Sequence, residues 1–276
     1  RSLGFFLCCT LLFVLINRSL TPEEPKSVAT KWAECMKKKL YYDDYRTIYL
    51  SVAKSCRYCC ASLGIAPSSI RPYKNDDEVK YAILPADLSE PTTLVTLGIG
   101  NDTAAEERLR MDLPRIVMHG ADPIVEGNKW KFEKIGTFHN FAVGRDSGSR
   151  TAMVLIDGHY HNKTFNHVSL HDFLKNNVKT DFIDYLWMDS EYSEYDMLPL
   201  FHRGGALDLA RIEICQMNIE IHRPDDTYRR KLYSAMPTLL DEARYVFLEA
   251  VEVPHMRLFA FNYGSERCRT KYGIEE

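Results

Sequence analysis

The chain has 276 residues, 45% of them hydrophobic and 26% charged, which is the makeup of a folded globular protein rather than a disordered or fibrous one. That length leaves room for one α/β domain with a sizeable core plus an extension. With 35 basic against 38 acidic residues the net charge is -3, so no basic face marks nucleic acid as a partner.

Leu3 to Ile16 is an apolar run without a charge. It is shorter than the ~20 residues a spanning helix needs and fits the core of a signal peptide. No small-x-small cleavage pattern follows Ile16, so residues 1–17 read as an uncleaved signal anchor, with a helix docked on the core as the alternative. The expected location is the secretory pathway. There the chain is a single-pass membrane protein with its remainder in the lumen, or a secreted one if the segment is removed.

Two of the eight cysteines, Cys8 and Cys9, fall in that run. Cys35, Cys56, Cys59, Cys60, Cys215 and Cys268 remain, enough for three disulfides with the connectivity open. Cys56-Arg57-Tyr58-Cys59 is a C-x-x-C, but no second pair stands at zinc-site spacing, so disulfides are expected and a metal is not. Glycosylation sequons occur at Asn17, Asn101 and Asn162, and a glycan on Asn101 would block the ligand turn described below.

Residues 18–90 read as a helical, cysteine-containing extension. One helix carries Trp32, Cys35, Met36 and Leu40, and a second carries Tyr45, Ile48, Tyr49 and Val52 at helical spacing. A tyrosine-rich face of that kind is expected in core packing. Gly64 to Asp77, with Pro67, Ser68, Ser69, Pro72 and an acidic run, reads as a linker.

From residue 91 the pattern becomes strand-helix alternation, which predicts an α/β fold with a doubly wound, mostly parallel sheet over 91–276. Strands are expected at 94–98, 116–119, 137–143, 151–156, 183–189, 215–222, 245–250 and 256–262, with a helix at 227–243. Asp157-Gly158 is hairpin chemistry, although His159 and His161 at i and i+2 could also begin a metal site. In Leu94 to Asp102 an apolar strand runs into Gly98-Ile99-Gly100, and Ala104 to Leu109 favours helix. Open α/β sheets bind nucleotide-like ligands at such strand-turn-helix junctions. A dinucleotide fingerprint would need a glycine where Thr103 stands, and Asp102 would repel a pyrophosphate. A nicotinamide cofactor is therefore disfavoured. A cationic ligand such as S-adenosylmethionine suits Asp102, and Asp122 ends the next strand where an acid can accept from ribose hydroxyls.

Asp102, Asp122, Asp189, Glu191, Glu194, Glu220 and His222 all follow strands, at the carboxyl edge where such sheets bind ligands. Three carboxylates within Asp189 to Glu194 repel one another unless a cation or a proton sits among them.

Asp189-Ser190-Glu191-Tyr192-Ser193-Glu194 resembles the D-x-E-G-x-E signature of FkbM-type methyltransferases. Leu97-Gly98-Ile99-Gly100, Asp122-Pro123, Phe141-Ala142-Val143-Gly144 and Asn218-Ile219-Glu220-Ile221-His222 stand in the order that family uses. The likeness covers roughly residues 91–263 and is similar in particular to a membrane-anchored, nematode-type branch. It implies a class I methyltransferase (Rossmann-like) fold that binds S-adenosylmethionine. Gly98, Gly100 and Asp102 would lie at its methionine end, Asp122 at its ribose, and Asn140, Phe141 and Ala142 by its adenine. Asp189 would then sit near the methyl group, with Glu191, Glu194 or His222 serving an acceptor hydroxyl. The resemblance thus implies O-methylation of a glycan or small-molecule acceptor. Where the signature has glycine this chain has Tyr192, which would narrow the acceptor pocket or mark a catalytically silent binding protein of the same fold.

Overall fold

The computed structural model describes residues 26–40, 44–65, 68–156, 159–252 and 254–275. The expected anchor at 1–17 lies outside the described residues; among those described, no helix is long and apolar enough to cross a membrane. Helix α1 (Val28–Lys39) starts where the Ser27 side chain accepts the Thr30 N–H, and it buries Ala29, Trp32, Ala33 and Met36 along one stripe. Helix α2 (Ile48–Leu63) stops at Gly64, whose φ of +64° suits the left-handed cap.

The stretch expected to be a linker is instead a hairpin. Strands β1 (Ile70–Lys74) and β2 (Val79–Ile83) pair antiparallel, and Tyr73, Lys80, Ala82 and Ile83 are buried. The next elements are β3 (Thr92–Leu97), α3 (Ala104–Asp112), β4 (Ile116–Ala121), α4 (Asn128–Phe132) and β5 (Thr137–His139). The strand expected over 137–143 breaks at Asn140, and β6 (Ala142–Gly144) joins a separate three-stranded sheet with β7 (Gly148–Ile156) and β8 (His159–Ser169). The last two pair antiparallel with Ile156 opposite His159, and the turn expected at Asp157-Gly158 lies outside the described residues. Then follow β9 (Phe182–Met188), α5 (Glu194–Met197), β10 (Glu213–Ile221), α6 (Asp226–Glu242), β11 (Tyr245–Val251), β12 (Met256–Asn262) and α7 (Glu266–Tyr272).

The central sheet runs β11-β12-β10-β9-β3-β4-β5. From β5 to β10 every pairing is parallel, and β12 enters antiparallel between β10 and β11. Numbered by order along the chain, the parallel strands read 3-2-1-4-5, the doubly wound order, with its switch point between β3 and β9. This is the α/β architecture that the alternation implies. Strand β9 is buried from Phe182 to Met188, as a central parallel strand must be.

The helical extension shares the sheet's core. Trp32 meets Phe247 edge-on at 5.4 Å, and the Tyr49 hydroxyl donates to Ile221 O at 3.0 Å and accepts from Met256 N at 2.8 Å. Two side-chain amides on β10 hold the hairpin. Asn218 Oδ1 accepts from Tyr81 N and its Nδ2 donates to Tyr81 O, and Gln216 makes the same pair with Ile83. They imitate a strand ladder from the face of the sheet.

Two disulfides form among the described residues, Cys35–Cys59 between α1 and α2 and Cys215–Cys268 between β10 and α7. The third that the count allows does not form among the described residues. Cys56 and Cys60 are buried free thiols one turn apart on α2, and both turn their sulfur to Phe247 O, at 3.2 and 3.0 Å. Cys215 and Cys268 are 53 residues apart, and closing a loop of that size removes about 4 kcal/mol of unfolded-state entropy. Replacing both by alanine is expected to lower the unfolding free energy by about that amount in urea titrations.

Candidate active site

The ends of β3 and β9 meet at the switch point. Gly98 N donates to Ala121 O at 3.0 Å, and Asp189 N donates to Leu97 O at 2.8 Å. Gly98 has φ +79°, and a Cβ there would lie 1.8 Å from the Asp189 carbonyl oxygen. Gly100, at φ +62°, faces open space, with nothing within 4 Å of where its Cβ would stand. The turn is thus closed against the end of β9 on one side and open on the other.

Asp122 braces this turn. Its Oδ2 accepts from Ile99 N at 2.8 Å and its Oδ1 from Ile124 N at 2.7 Å. Burial pushes its carboxyl up despite those donors. Asp102 is engaged elsewhere: Oδ1 accepts from Ala104 N at the start of α3, and Oδ2 accepts from Asp76 N in the β1–β2 turn. Asn140 is exposed beyond β5, its Nδ2 donating to Pro123 O at 3.1 Å. Phe141 packs edge-on against Phe173 at 5.4 Å, with Ala142 half-buried after it.

The remaining candidates converge on His222, which follows β10 and is buried. Its Nδ1 donates to Oε1 of the wholly buried Glu194 at 2.8 Å. Its Nε2 lies 3.1 Å from Glu191 Oε2 and 3.6 Å from Asp189 Oδ1, yet neither oxygen receives a hydrogen bond. Burial alone would depress this imidazole, but its contacts with Glu191 and Glu194 and the charge of Asp189 outweigh it and push it up to about 12. Burial, then the charge of Glu220, raises the Asp189 carboxyl well above the usual carboxylate range.

Glu78, Lys80, His255 and Arg257 also belong here, and sequence reasoning missed them. Lys80, buried, pairs with Glu78, and Arg257 Nε donates to Glu220 Oε2 at 2.8 Å. His255 lies 4.5 Å, ring to ring, from His222. The sequence did hold a signal: a lysine inside the strand-length run Val79 to Ile83 must carry its charge indoors if that run is a strand. Tyr192 covers the cluster, 5.2 Å from the His222 ring and 5.0 Å from that of Tyr228. Glu191 and Tyr192 both have positive φ, 44° and 73°.

Residues 41–247 match the family described as "Methyltransferase FkbM domain". The match begins inside the expected extension rather than at residue 91. "Uncharacterized protein C28H8.7" of Caenorhabditis elegans is 24% identical over 249 residues, covering 88% of this chain and 79% of that protein. The crystal structure of Aeropyrum pernix fibrillarin, in complex with natively bound S-adenosyl-L-methionine, is 13% identical, covers 71% of this chain and 84% of that one, and gives a TM-score of 0.35. A likeness at that level adds nothing to the reading of these residues.

Two outcomes follow from the geometry. Gly98→Ala drives a methyl into the Asp189 carbonyl and is expected to cost about 3 kcal/mol or more, whereas Gly100→Ala meets only backbone strain of about 1–2 kcal/mol. Denaturant midpoints of the two variants test that ranking. His139, 3.2 Å from His119, is pushed down to about 4, by burial first and then by its neighbour. The unfolded chain takes up this proton near 6.5 and the folded one near 4. Stability is therefore full above pH 6.5 and falls as the pH drops through that window. Melting temperatures from pH 7 to 4 are expected to fall less steeply in His139→Gln.

Proposed function

The chain belongs to the FkbM methyltransferase domain family, and on that premise we propose that it transfers a methyl group to the oxygen of a glycan or small-molecule acceptor in the secretory pathway. Its methyl donor is S-adenosylmethionine, which supplies an electrophilic methyl on a sulfonium. The two disulfides are bonds of an oxidising compartment.

The open face of Gly100 carries this reading. A glycine at positive φ with empty space above it lets a ligand approach the backbone, at the switch point where doubly wound sheets bind. In the assignment we favour, the Gly98–Gly100 turn bears the methionine end and Asp122 accepts from the ribose. Asp122 can do this while bracing the turn, because each carboxylate oxygen has a second lone pair. Asn140, Phe141 and Ala142 then border the adenine. Asp102, whose oxygens accept from Ala104 N and Asp76 N, keeps a second lone pair on each for the cationic methionine end.

Asp189, Glu191, Glu194 and His222 serve the acceptor. The acceptor oxygen forms a bond to the methyl carbon. The carbon–sulfur bond breaks with its electrons going to sulfur, and the hydroxyl proton passes to a carboxylate, Asp189 or Glu191. Glu194 holds the His222 ring in place. Such a displacement depends mainly on holding the two reactants in line.

A second reading rests on one observation. The Tyr192 ring lies over His222 where the signature has glycine, and a chain with its acceptor side closed would bind cofactor without turning over.

Calorimetric titration of S-adenosylmethionine into the full chain tests the site. Saturable binding is expected, with Asp122→Asn weakening it tenfold or more, on the scale of one hydrogen bond to a charged group. Release of S-adenosylhomocysteine with model hydroxyl acceptors then separates the two readings. Wild-type turnover supports transfer, whereas turnover only in Tyr192→Gly supports the silent form. A folded protein that gives no binding heat overturns both.

A further inference from the structure

We propose that Asp189, Glu191 and His222 form a binding site for a divalent cation of the Mn2+ or Mg2+ kind at the carboxyl end of β9. Three donor atoms, Asp189 Oδ1, Glu191 Oε2 and His222 Nε2, lie within 4.8 Å of one another. Nε2 is 3.1 Å from the Glu191 oxygen and 3.6 Å from the Asp189 oxygen. Ligand atoms at about 2.1 Å in neighbouring positions of an octahedral site stand about 3 Å apart, so these atoms need little movement to share one ion.

A second, independent observation points to a missing cation. The Asp189 Oδ1 and Glu191 Oε2 atoms that face Nε2 are shut off from solvent and receive no hydrogen bond, although the His222 ring stands within ion-pair distance of both. Orphaned carboxylate oxygens are costly in a protein interior. Glu194 is also placed as a metal site requires. It accepts from His222 Nδ1 at 2.8 Å, so Nε2 is the nitrogen whose proton an incoming ion displaces to reach a lone pair. Metal-ligating histidines usually hand their other N–H to just such a carboxylate.

Apart from His222 itself, the nearby described cations have closer partners, although the charge of Lys80 still reaches Asp189. Lys80 pairs with Glu78, and Arg257 with Glu220 and Glu78. Neither makes an ion pair with Asp189 or Glu191 among the described residues. The alternative grouping of Glu220, His222 and His255 is weaker. Glu220 is taken by Arg257, and His255 Nδ1 accepts from Arg223 N at 3.1 Å. Two carboxylate oxygens and one imidazole nitrogen form a mixed, mostly hard donor set, which suits Mn2+ better than a thiolate-seeking ion.

The binding itself does not depend on the methyl-transfer reading, but its consequence does. A hydroxyl oxygen coordinated there loses its proton to solvent more readily, and the freed lone pair accepts the methyl.

The test is titration of Mn2+ into the full, disulfide-intact chain after chelation and dialysis, without S-adenosylmethionine, following the free-ion electron paramagnetic resonance signal. One saturable site is expected. Glu191→Gln and Asp189→Asn should each weaken it at least tenfold while melting close to wild type. The bound ion should also show nitrogen modulation from a directly coordinated imidazole, lost in His222→Gln. Three results each overturn the proposal: no saturable binding by folded wild type, a Glu191→Gln titration that superimposes on wild type, or a bound ion without nitrogen modulation. S-adenosylmethionine titrated separately keeps the two readings apart. Cofactor binding without Mn2+ binding sinks only the cation site, and the reverse sinks only the cofactor assignment.

Discussion

Two parallel strands of a doubly wound sheet diverge from their helices at the switch point, and something must hold their ends together without filling the crevice. Here the backbone does it. The Asp189 amide bonds Leu97 O, and Gly98 passes so close to the Asp189 carbonyl that no side chain fits between them. That contact fixes where the glycine turn stands relative to the first residue of the acidic cluster. A cofactor seated on the turn and an acceptor seated at the cluster would therefore have a set separation, and positioning is most of what an in-line displacement asks of a protein.

The cluster's cost is electrostatic. Asp189, Glu191, Glu194 and Glu220 crowd around one imidazole, with Glu78 beside Asp189 and Glu220, and carboxylates taken out of water are unfavourable unless matched. The β1–β2 hairpin supplies part of the match. It brings Lys80 into the interior on a strand held by the Asn218 and Gln216 amides. Lys80 acts beyond Glu78. Its charge lowers the Glu106 carboxyl, but burial wins and leaves that group pushed up to about 7, with Thr96 Oγ1 donating to it. The hairpin is part of the site's charge balance, and the family match, which begins upstream of it at residue 41, includes it.

What the sequence revealed followed from pattern length. Strands β3, β9 and β10 are buried along nearly their whole length and read as mostly apolar runs, and their ends line up the acids whatever the details of packing. The hairpin was hidden because its signals conflict. Pro67, Ser68, Ser69 and Pro72 announce a loop, whereas the apolar face needed Tyr73, Ala82 and Ile83 to be read across a turn. The disulfide count failed for a helical reason. An even number of cysteines says nothing about two thiols on one turn of α2, which both turn to the same carbonyl and stay free. At Asp102 the edge argument places the residue but not its partners, since its oxygens accept from Asp76 N and Ala104 N.

Tyr192 joins these themes. The backbone at Glu191 and Tyr192 is left-handed, which accounts for a glycine in the signature at the second position, where only glycine adopts such a φ without cost. A tyrosine there bears strain of about 1–2 kcal/mol, so its ring must return something comparable. It does so by packing between His222 and Tyr228, with Tyr195 continuing the stack, and aromatic pairs are each worth about 0.5–1.5 kcal/mol beyond burial. The two effects are of the same size, so the substitution can persist at little net cost to folding. Its consequence falls on the site instead: a ring on His222 shields one face of the imidazole while leaving Nε2 directed at Asp189 and Glu191. Tyr192 therefore covers one side of the cluster while its three donor atoms stay turned toward one another.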